Sequence, residues 1–241
     1  VAMSLKLTKD GEGRSVDSTL FKSLIGSLRY LTITRPDIVY SVGLLSRYME
    51  APKESHWLAA KRILRYVKGT VDFGLFYPYN EEAELYGYSD SDWGGDQDER
   101  KSTTGYVFFL GSTAFTWNSR KQSVVALSTC EAEYVAASST VCEGIWLRNF
   151  LKEMKHPQDG STVIYVDNKS AIELAKNPVQ HGRSKHIDTR FHFLRDHVKQ
   201  KTIKLEYCHT SEQVADIFIK ALPSDAFKRL RTMLGMKSVL V

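Results

Sequence analysis

The chain lacks paired cysteines, long apolar runs and clustered metal-binding histidines, and each absence removes a class of protein. Its three cysteines, Cys130, Cys142 and Cys208, are widely spaced. Neither a disulfide framework nor a zinc ribbon is therefore expected, and a reducing intracellular setting fits best. The longest apolar stretches are interrupted by Arg, Lys or Gly. They fall far below the roughly 20 residues that span a bilayer, so no membrane partner is expected. The start, Val1-Ala2-Met3-Ser4-Leu5-Lys6, has no charged-then-apolar signal and no initiating Met, and reads as part of something longer.

What is present is an ordinary globular composition, 42% hydrophobic and 25% charged over 241 residues, enough for one sizeable core with a smaller appendage. The net charge of +5 is unevenly placed. Residues 1–80 hold 12 Lys and Arg against 7 Asp and Glu, while residues 81–241 hold 21 of each. A basic front beside a neutral, carboxylate-bearing remainder suits a polyanion gripped by one part and worked on by another.

Periodicity divides the chain. Residues 1–18 are polar and contain Gly11 and Gly13, which predicts a flexible N-terminal segment. Leu20, Leu24, Ile25 and Leu28 then recur at helical spacing; Pro36 opens a helix to Met49, and Ser55 caps another that Gly69 closes. From about residue 72 the pattern changes to strands at Phe73–Tyr77, Leu85–Ser89, Tyr106–Leu110 and Thr113–Asn118, with the last two forming a hairpin. A long helix at Glu131–Leu151 follows, then a buried strand at Val163–Val166, helices at Ser170–Ala175 and Ile187–Val198, a strand at Ile203–Cys208 and a helix at Gln213–Ala221. The expected fold class is α/β, a mixed sheet flanked by helices and preceded by a helical segment.

Four acidic residues lie in apolar surroundings: Asp90 at the end of a strand, Glu133 near a helix start, Asp167 after the buried strand and Asp216 in Val214-Ala215-Asp216-Ile217. Embedded carboxylates are costly unless paired, protonated or bound to a cation, and hard oxygen ligands favour Mg2+ or Mn2+ over zinc. Strand ends in open α/β sheets are where ligands collect. The same residues also have plain structural uses: Glu133 and Asp216 complement helix macrodipoles, and Asp167-Asn168 caps a helix. Spacing alone leaves both readings open, as it does the choice between Asp90 and Asp92 and between Glu133 and Glu131.

The run Tyr88-Ser89-Asp90-Ser91-Asp92-Trp93-Gly94, with Arg100-Lys101-Ser102-Thr103-Thr104-Gly105-Tyr106, Leu127-Ser128-Thr129-Cys130-Glu131-Ala132-Glu133-Tyr134, Asp167-Asn168-Lys169-Ser170-Ala171, Lys185-His186-Ile187-Asp188 and Ala215-Asp216-Ile217, resembles the ribonuclease H domain of copia-type LTR retrotransposon polyproteins. Residues 19–80 resemble the reverse transcriptase thumb and connection stretch before it, through Leu24-Ile25-Gly26-Ser27-Leu28-Arg29-Tyr30-Leu31, Thr34-Arg35-Pro36-Asp37-Ile38 and His56-Trp57. The resemblance implies a helical segment at 19–80, a ribonuclease H-like five-stranded mixed sheet at 81–224 and a C-terminal helical tail at 225–241. It further implies two-metal hydrolysis of the RNA strand of RNA/DNA hybrids, with Asp90, Glu133, Asp167 and Asp216 holding two Mg2+ ions, Mn2+ substituting. The partners implied are the hybrid and the rest of the polyprotein, in a cytoplasmic retroelement particle or the nucleus. Ile219 and His209 depart from the usual threonine and proline of the family. The paired polymerase aspartates are absent from the first 80 residues, so polymerase chemistry is not expected.

Basic residues around 181–201 suggest a phosphate-contacting helix face, with Lys185, His186 and Arg190 as contacts; a solvated face is the alternative. Lys121 is a candidate phosphate grip, and Asn168 a candidate reader of a 2′-hydroxyl or a helix cap. The alternative to an enzyme is a catalytically silent nucleic-acid-binding or interaction module derived from a retroelement. An integrase-like transferase is disfavoured because Glu133 precedes Asp167.

Overall fold

The computed structural model describes residues 7–79, 83–176 and 188–239, with the backbone alone for 188–191. Helices α1 (Ser18–Leu31), α2 (Val39–Ser46) and α3 (Glu54–Lys68) form the front unit. Their apolar stripes meet in a core of Phe21, Ile25, Leu28, Val42, Leu45, Ala60 and Ile63. Pro36 opens a 3-10 turn, Pro36–Ile38, rather than α2 itself. Helix α3 starts one residue before Ser55, and His56 Nδ1 accepts the Lys53 N–H at 3.0 Å.

The segment before α1, expected to be flexible, is held from residue 7 onward. Leu7 is buried, the Val16 N–H donates to Pro52 O at 2.9 Å, and the Asp17 carboxylate caps α1 through the Thr19 and Leu20 N–H groups. Hydrogen bonds to α3 override its glycine content. Residues 35–37 are fixed by a desolvated ion pair: Arg35 grips Asp37 through two bonds of 3.0 and 2.8 Å, and Tyr66 and Thr70 satisfy the remaining partners.

Strand β1 (Phe73–Leu75) does not join the main sheet. It pairs antiparallel with β7 (Met236–Ser238), which follows α7 (Ser224–Met233), so the tail expected to be helical ends in a strand stitched to the front of the chain. The strand expected at Phe73–Tyr77 is thus present as β1, whereas its three-residue partner β7 carries too little periodicity to be read in advance.

The main sheet contains β2 (Leu85–Asp92), β3 (Thr103–Leu110), β4 (Thr113–Lys121), β5 (Thr162–Val166) and β6 (Ile203–Tyr207) in the order β4-β3-β2-β5-β6. The β2–β3 and β3–β4 pairs are antiparallel; β2–β5 and β5–β6 are parallel. This is the mixed five-stranded α/β architecture expected of a ribonuclease H-like fold.

One face is covered by α4 (Thr129–Glu153), α5 (Lys169–Lys176) and α6 (Asp188–Lys199) over Phe108, Tyr134, Val141, Leu147, Ile164 and Leu194. The Phe108 ring lies between Gly87 and Gly144; a Cβ on Gly87 would stand 2.8 Å from it, so the glycine is what lets the ring fill this layer. The other face packs on α7 and a 3-10 turn, Val214–Phe218, with Val39 of α2 joining. The front unit is tied to the sheet by Arg47, which ion-pairs with Asp96 at 2.9 Å, and by the Trp117 indole, which donates to Thr32 O at 3.2 Å.

Candidate active site

The carboxylates converge at the edge where β2 and β5 end. These strands run parallel with Tyr88 opposite Tyr165, and extending that register by two residues sets Asp90 level with Asp167. Helix α4 begins at the same edge. Its Ser128 cap accepts the Glu131 N–H, and the Gln122 amide ties Ala132 O to Thr104 of β3. Asp90, Glu133 and Asp167 each present an oxygen within 4.8 Å of the others. Asp216 is not part of this three-oxygen group, though its carboxyl acts on Asp90 and helps raise its pKa.

Asp216 reaches this position on a 3-10 turn, not the α-helix expected at Gln213–Ala221. Gln213, fully buried, accepts the Ala215 N–H and donates to Ser89 O at 3.0 Å, pinning the turn to β2. Gly105 permits the close approach: a Cβ there would meet Ile219 Cγ2 at 2.6 Å and Phe218 Cβ at 2.8 Å. Since Gly105 is the β3 partner of Asp90, this contact sets how near Asp216 comes to the strand end.

Electrostatics mark the cluster as unfinished. Asp90, Glu133 and Asp216 are 3%, 6% and 7% exposed, so water cannot neutralise them. Two carboxylates 4 Å apart repel by about 4 kcal/mol at an effective dielectric constant of 20. Burial, then the neighbouring Asp216, Glu133 and Asp167, raises the Asp90 pKa well above its ordinary value. Burial and Asp167 push Glu133 up to about 7. Asp167 is raised by burial, against the Thr210 hydroxyl that donates to it at 3.1 Å. Asp90 Oδ2 and Glu133 Oε2 are buried without any hydrogen-bond donor among the described residues. Buried oxygens left so are costly unless a cation or proton meets them.

Two ambiguities in the sequence resolve physically. Glu131 turns back to accept the Leu127 N–H at 2.9 Å, serving as a helix cap, while Glu133 points inward and accepts both the N–H and the hydroxyl of Ser91, at 3.2 and 3.0 Å. Asp92 shares a face with Asp90 but lies two residues farther along β2. There it stands opposite Thr103, whose N–H it accepts, with burial raising its pKa to about 7 against the charge of Arg47. Glu131→Ala should therefore cost about 0.5–2 kcal/mol of stability through the lost cap and leave the carboxylate cluster intact. Denaturant melts of the two alanine variants test this: Glu133→Ala should instead relieve repulsion and not destabilise the metal-free chain.

Other expected contacts fare differently. Lys121 is held by Glu99 at 2.9 Å and Asp96 at 3.4 Å. The Asn168 side-chain oxygen caps α5 through the Ala171 N–H at 3.0 Å. Lys185 and His186 lie outside the described residues, as does the side chain of Arg190. Ser91, Thr210, Gln213 and Lys220 were not anticipated. Lys220 alone left a legible signal, its i,i+4 spacing from Asp216.

No protein-family model matches the chain. The retrovirus-related Pol polyprotein from transposon RE2 of Arabidopsis thaliana is 40% identical over 239 residues, 99% of this chain and 16% of that protein. The corresponding polyprotein from transposon TNT 1-94 of Nicotiana tabacum is 44% identical over 219 residues, 90% of this chain and 16% of that one. The chain belongs to the copia-type retrotransposon Pol polyproteins. It spans about a sixth of the length of these Pol relatives, 16% in each case. Among solved structures, the foamy viral protease-reverse transcriptase with double-stranded DNA matches at a TM-score of 0.54 and 14% identity, over 85% of this chain and 42% of that one. Its complex with an RNA/DNA hybrid matches at 0.51 and 12%, over 90% and 28%. At that identity the likeness is one of fold, and it extends across the Pol chain's helical front unit as well as its sheet.

With no metal present, the raised carboxyls predict a pH dependence. Folded Glu133 keeps its proton up to about 7, whereas an unfolded glutamate loses it near 4.5, so the folded state binds more protons between these values. The stability this contributes is full below about 4.5 and is lost as pH rises through 7. Thermal unfolding in EDTA should show a midpoint that falls across this window and a flatter profile for Glu133→Gln. A rising midpoint would contradict the assignment.

Proposed function

We propose that the chain is the ribonuclease H portion of a retrotransposon reverse transcriptase, an endonuclease that hydrolyses the RNA strand of RNA/DNA hybrids. The observation that carries this reading is the convergence of Asp90, Glu133 and Asp167 oxygens within 4.8 Å, with buried oxygens that have no donor among the described residues. The donor set fits hard divalent cations: oxygen ligands, no thiolate or imidazole in the group among the described residues, and more negative charge than burial tolerates unaided. Bound there, two Mg2+ ions, or Mn2+ in their place, supply the positive charge that eases deprotonation of water and steadies the leaving oxygen.

The residues divide the remaining work. Asp90 and Asp167, level on adjacent strands, form a rigid base, and Ser91 fixes Glu133 against it. Asp216, carried by the 3-10 turn, is assigned as the fourth ligand on its motif and on its influence on Asp90. Lys185, His186 and Arg190 are assigned to the hybrid backbone and Asn168 to the 2′-hydroxyl, an assignment that rests on the motifs. The RNA/DNA hybrid and the rest of the polyprotein are the proposed partners. No described helix is long and apolar enough to cross a membrane.

The test is incubation with an RNA/DNA hybrid and Mg2+, with duplex DNA and duplex RNA as comparison substrates. Cleavage confined to the RNA strand of the hybrid, leaving 3′-hydroxyl and 5′-phosphate ends and lost in Glu133→Gln, is expected. Tight hybrid binding without cleavage would favour the silent binding module instead.

A further inference from the structure

Lys220 follows Asp216 by four residues, just past the 3-10 turn, and its Nζ forms an ion pair with Asp216 Oδ1. Its ammonium is influenced by Asp90 and Asp167 as well. Burial would lower its pKa, yet the ion pair with Asp216 and the charges of Asp90 and Asp167 outweigh that and raise it. Lys220 thus contacts one carboxylate directly, Asp216, and feels Asp90 and Asp167 only through their charge. Its side chain is nevertheless 44% exposed, against 10% for Asp216, and it borders a cavity of about 290 Å³ lined also by Tyr40, Ser41 and Ser224. The ammonium is held at the site without being enclosed by it.

Charge balance gives this position a consequence. Four ionised carboxylates carry four negative charges, which two divalent cations match; an ammonium at the same place leaves the cluster one positive charge in excess. Partly buried like charges at close range are screened less than exposed ones, so the ammonium and a full metal complement oppose one another.

We propose that Lys220 is the built-in counter-cation of the carboxylate cluster, holding it together in the metal-free chain and competing with divalent ions, so that metal loading displaces its ammonium toward the open side of the site. The proposal rests on the reading that the cluster takes metal, and adds to it a competitor supplied by the chain itself. Lys220 is a positioning residue: it sets the affinity and order of the site through Asp216.

The experiment is a Mn2+ titration of the whole chain at low ionic strength, following free Mn2+ by electron paramagnetic resonance, with thermal unfolding in EDTA alongside. Lys220→Met removes the charge and keeps the length; it should bind Mn2+ about tenfold more tightly than the parent and unfold at a lower temperature in EDTA. Lys220→Arg keeps the charge and should stay near the parent in both measurements. Lys220→Gln serves as a second neutral variant if the methionine chain does not fold. Parent-like or weaker Mn2+ binding by the neutral variant, with the parent itself binding, overturns the role of Lys220 and leaves the metal site standing. Binding by none of the chains above an Asp90→Asn control overturns both.

Discussion

Asp90→Asn is expected to reduce hybrid cleavage by at least about a hundredfold, the upper range for loss of groups supporting a metal site, while making the metal-free chain more stable. The two effects have one cause. Asp90 Oδ1 accepts the Ser91 N–H at 2.8 Å, a bond an asparagine carbonyl retains. Its Oδ2 has no donor among the described residues, and asparagine would place an amide there, near Glu133 and Asp216. Repulsion becomes a hydrogen bond to a charged group, a gain on the order of 1–3 kcal/mol. A hybrid-cleavage assay and thermal unfolding in EDTA, run on the same preparation, should move in opposite directions. Retained cleavage would remove Asp90 from the site; a less stable metal-free variant would show that the cluster is not strained.

Gly105→Ala tests the same edge from behind. The added methyl would stand 2.6 Å from Ile219, 2.8 Å from Phe218 and 3.1 Å from the Ala215 carbonyl, so the turn that carries Asp216 must retreat. Overpacking of this kind costs about 1–3 kcal/mol. The larger effect falls on turnover, because Asp216 withdraws with the turn, and a displacement of about 1 Å in such a site costs on the order of a hundredfold. Gly74→Ala, where no atom lies within 4 Å of the new Cβ, is the matched control and should alter neither cleavage nor the melting midpoint. Full activity in Gly105→Ala would show that Asp216 is not needed at its present distance.

Much of this arrangement was legible in advance where periodicity is strong. The long apolar face of α4, the buried strand β5 and the alternation of β2 are dictated by side chains repeating over many residues, and they carry Glu133, Asp167 and Asp90. What escaped the sequence depends on single contacts. Asp216 sits on a 3-10 turn because one glutamine competes for the backbone, which no hydrophobic pattern reports. The roles of Glu131 and Glu133 differ because the first helical turn needs a cap, and only the direction of each side chain separates them. Lys121 looked available for phosphate, yet Asp96 and Glu99 come from a loop whose path local propensity does not specify.

The ribbon of β1 and β7 bears on how the chain can be handled. Residues 236–238 are paired with residues 73–75, and Gly235 O accepts the Phe76 N–H at 3.0 Å. A protease cutting near residue 80 would nick the polypeptide without releasing either half, because the final strand holds the fragments together like a clasp. An expression fragment beginning at residue 81 would leave that strand with no mate and a bare edge, inviting self-association. A fragment meant to keep this ribbon therefore begins upstream of Phe73.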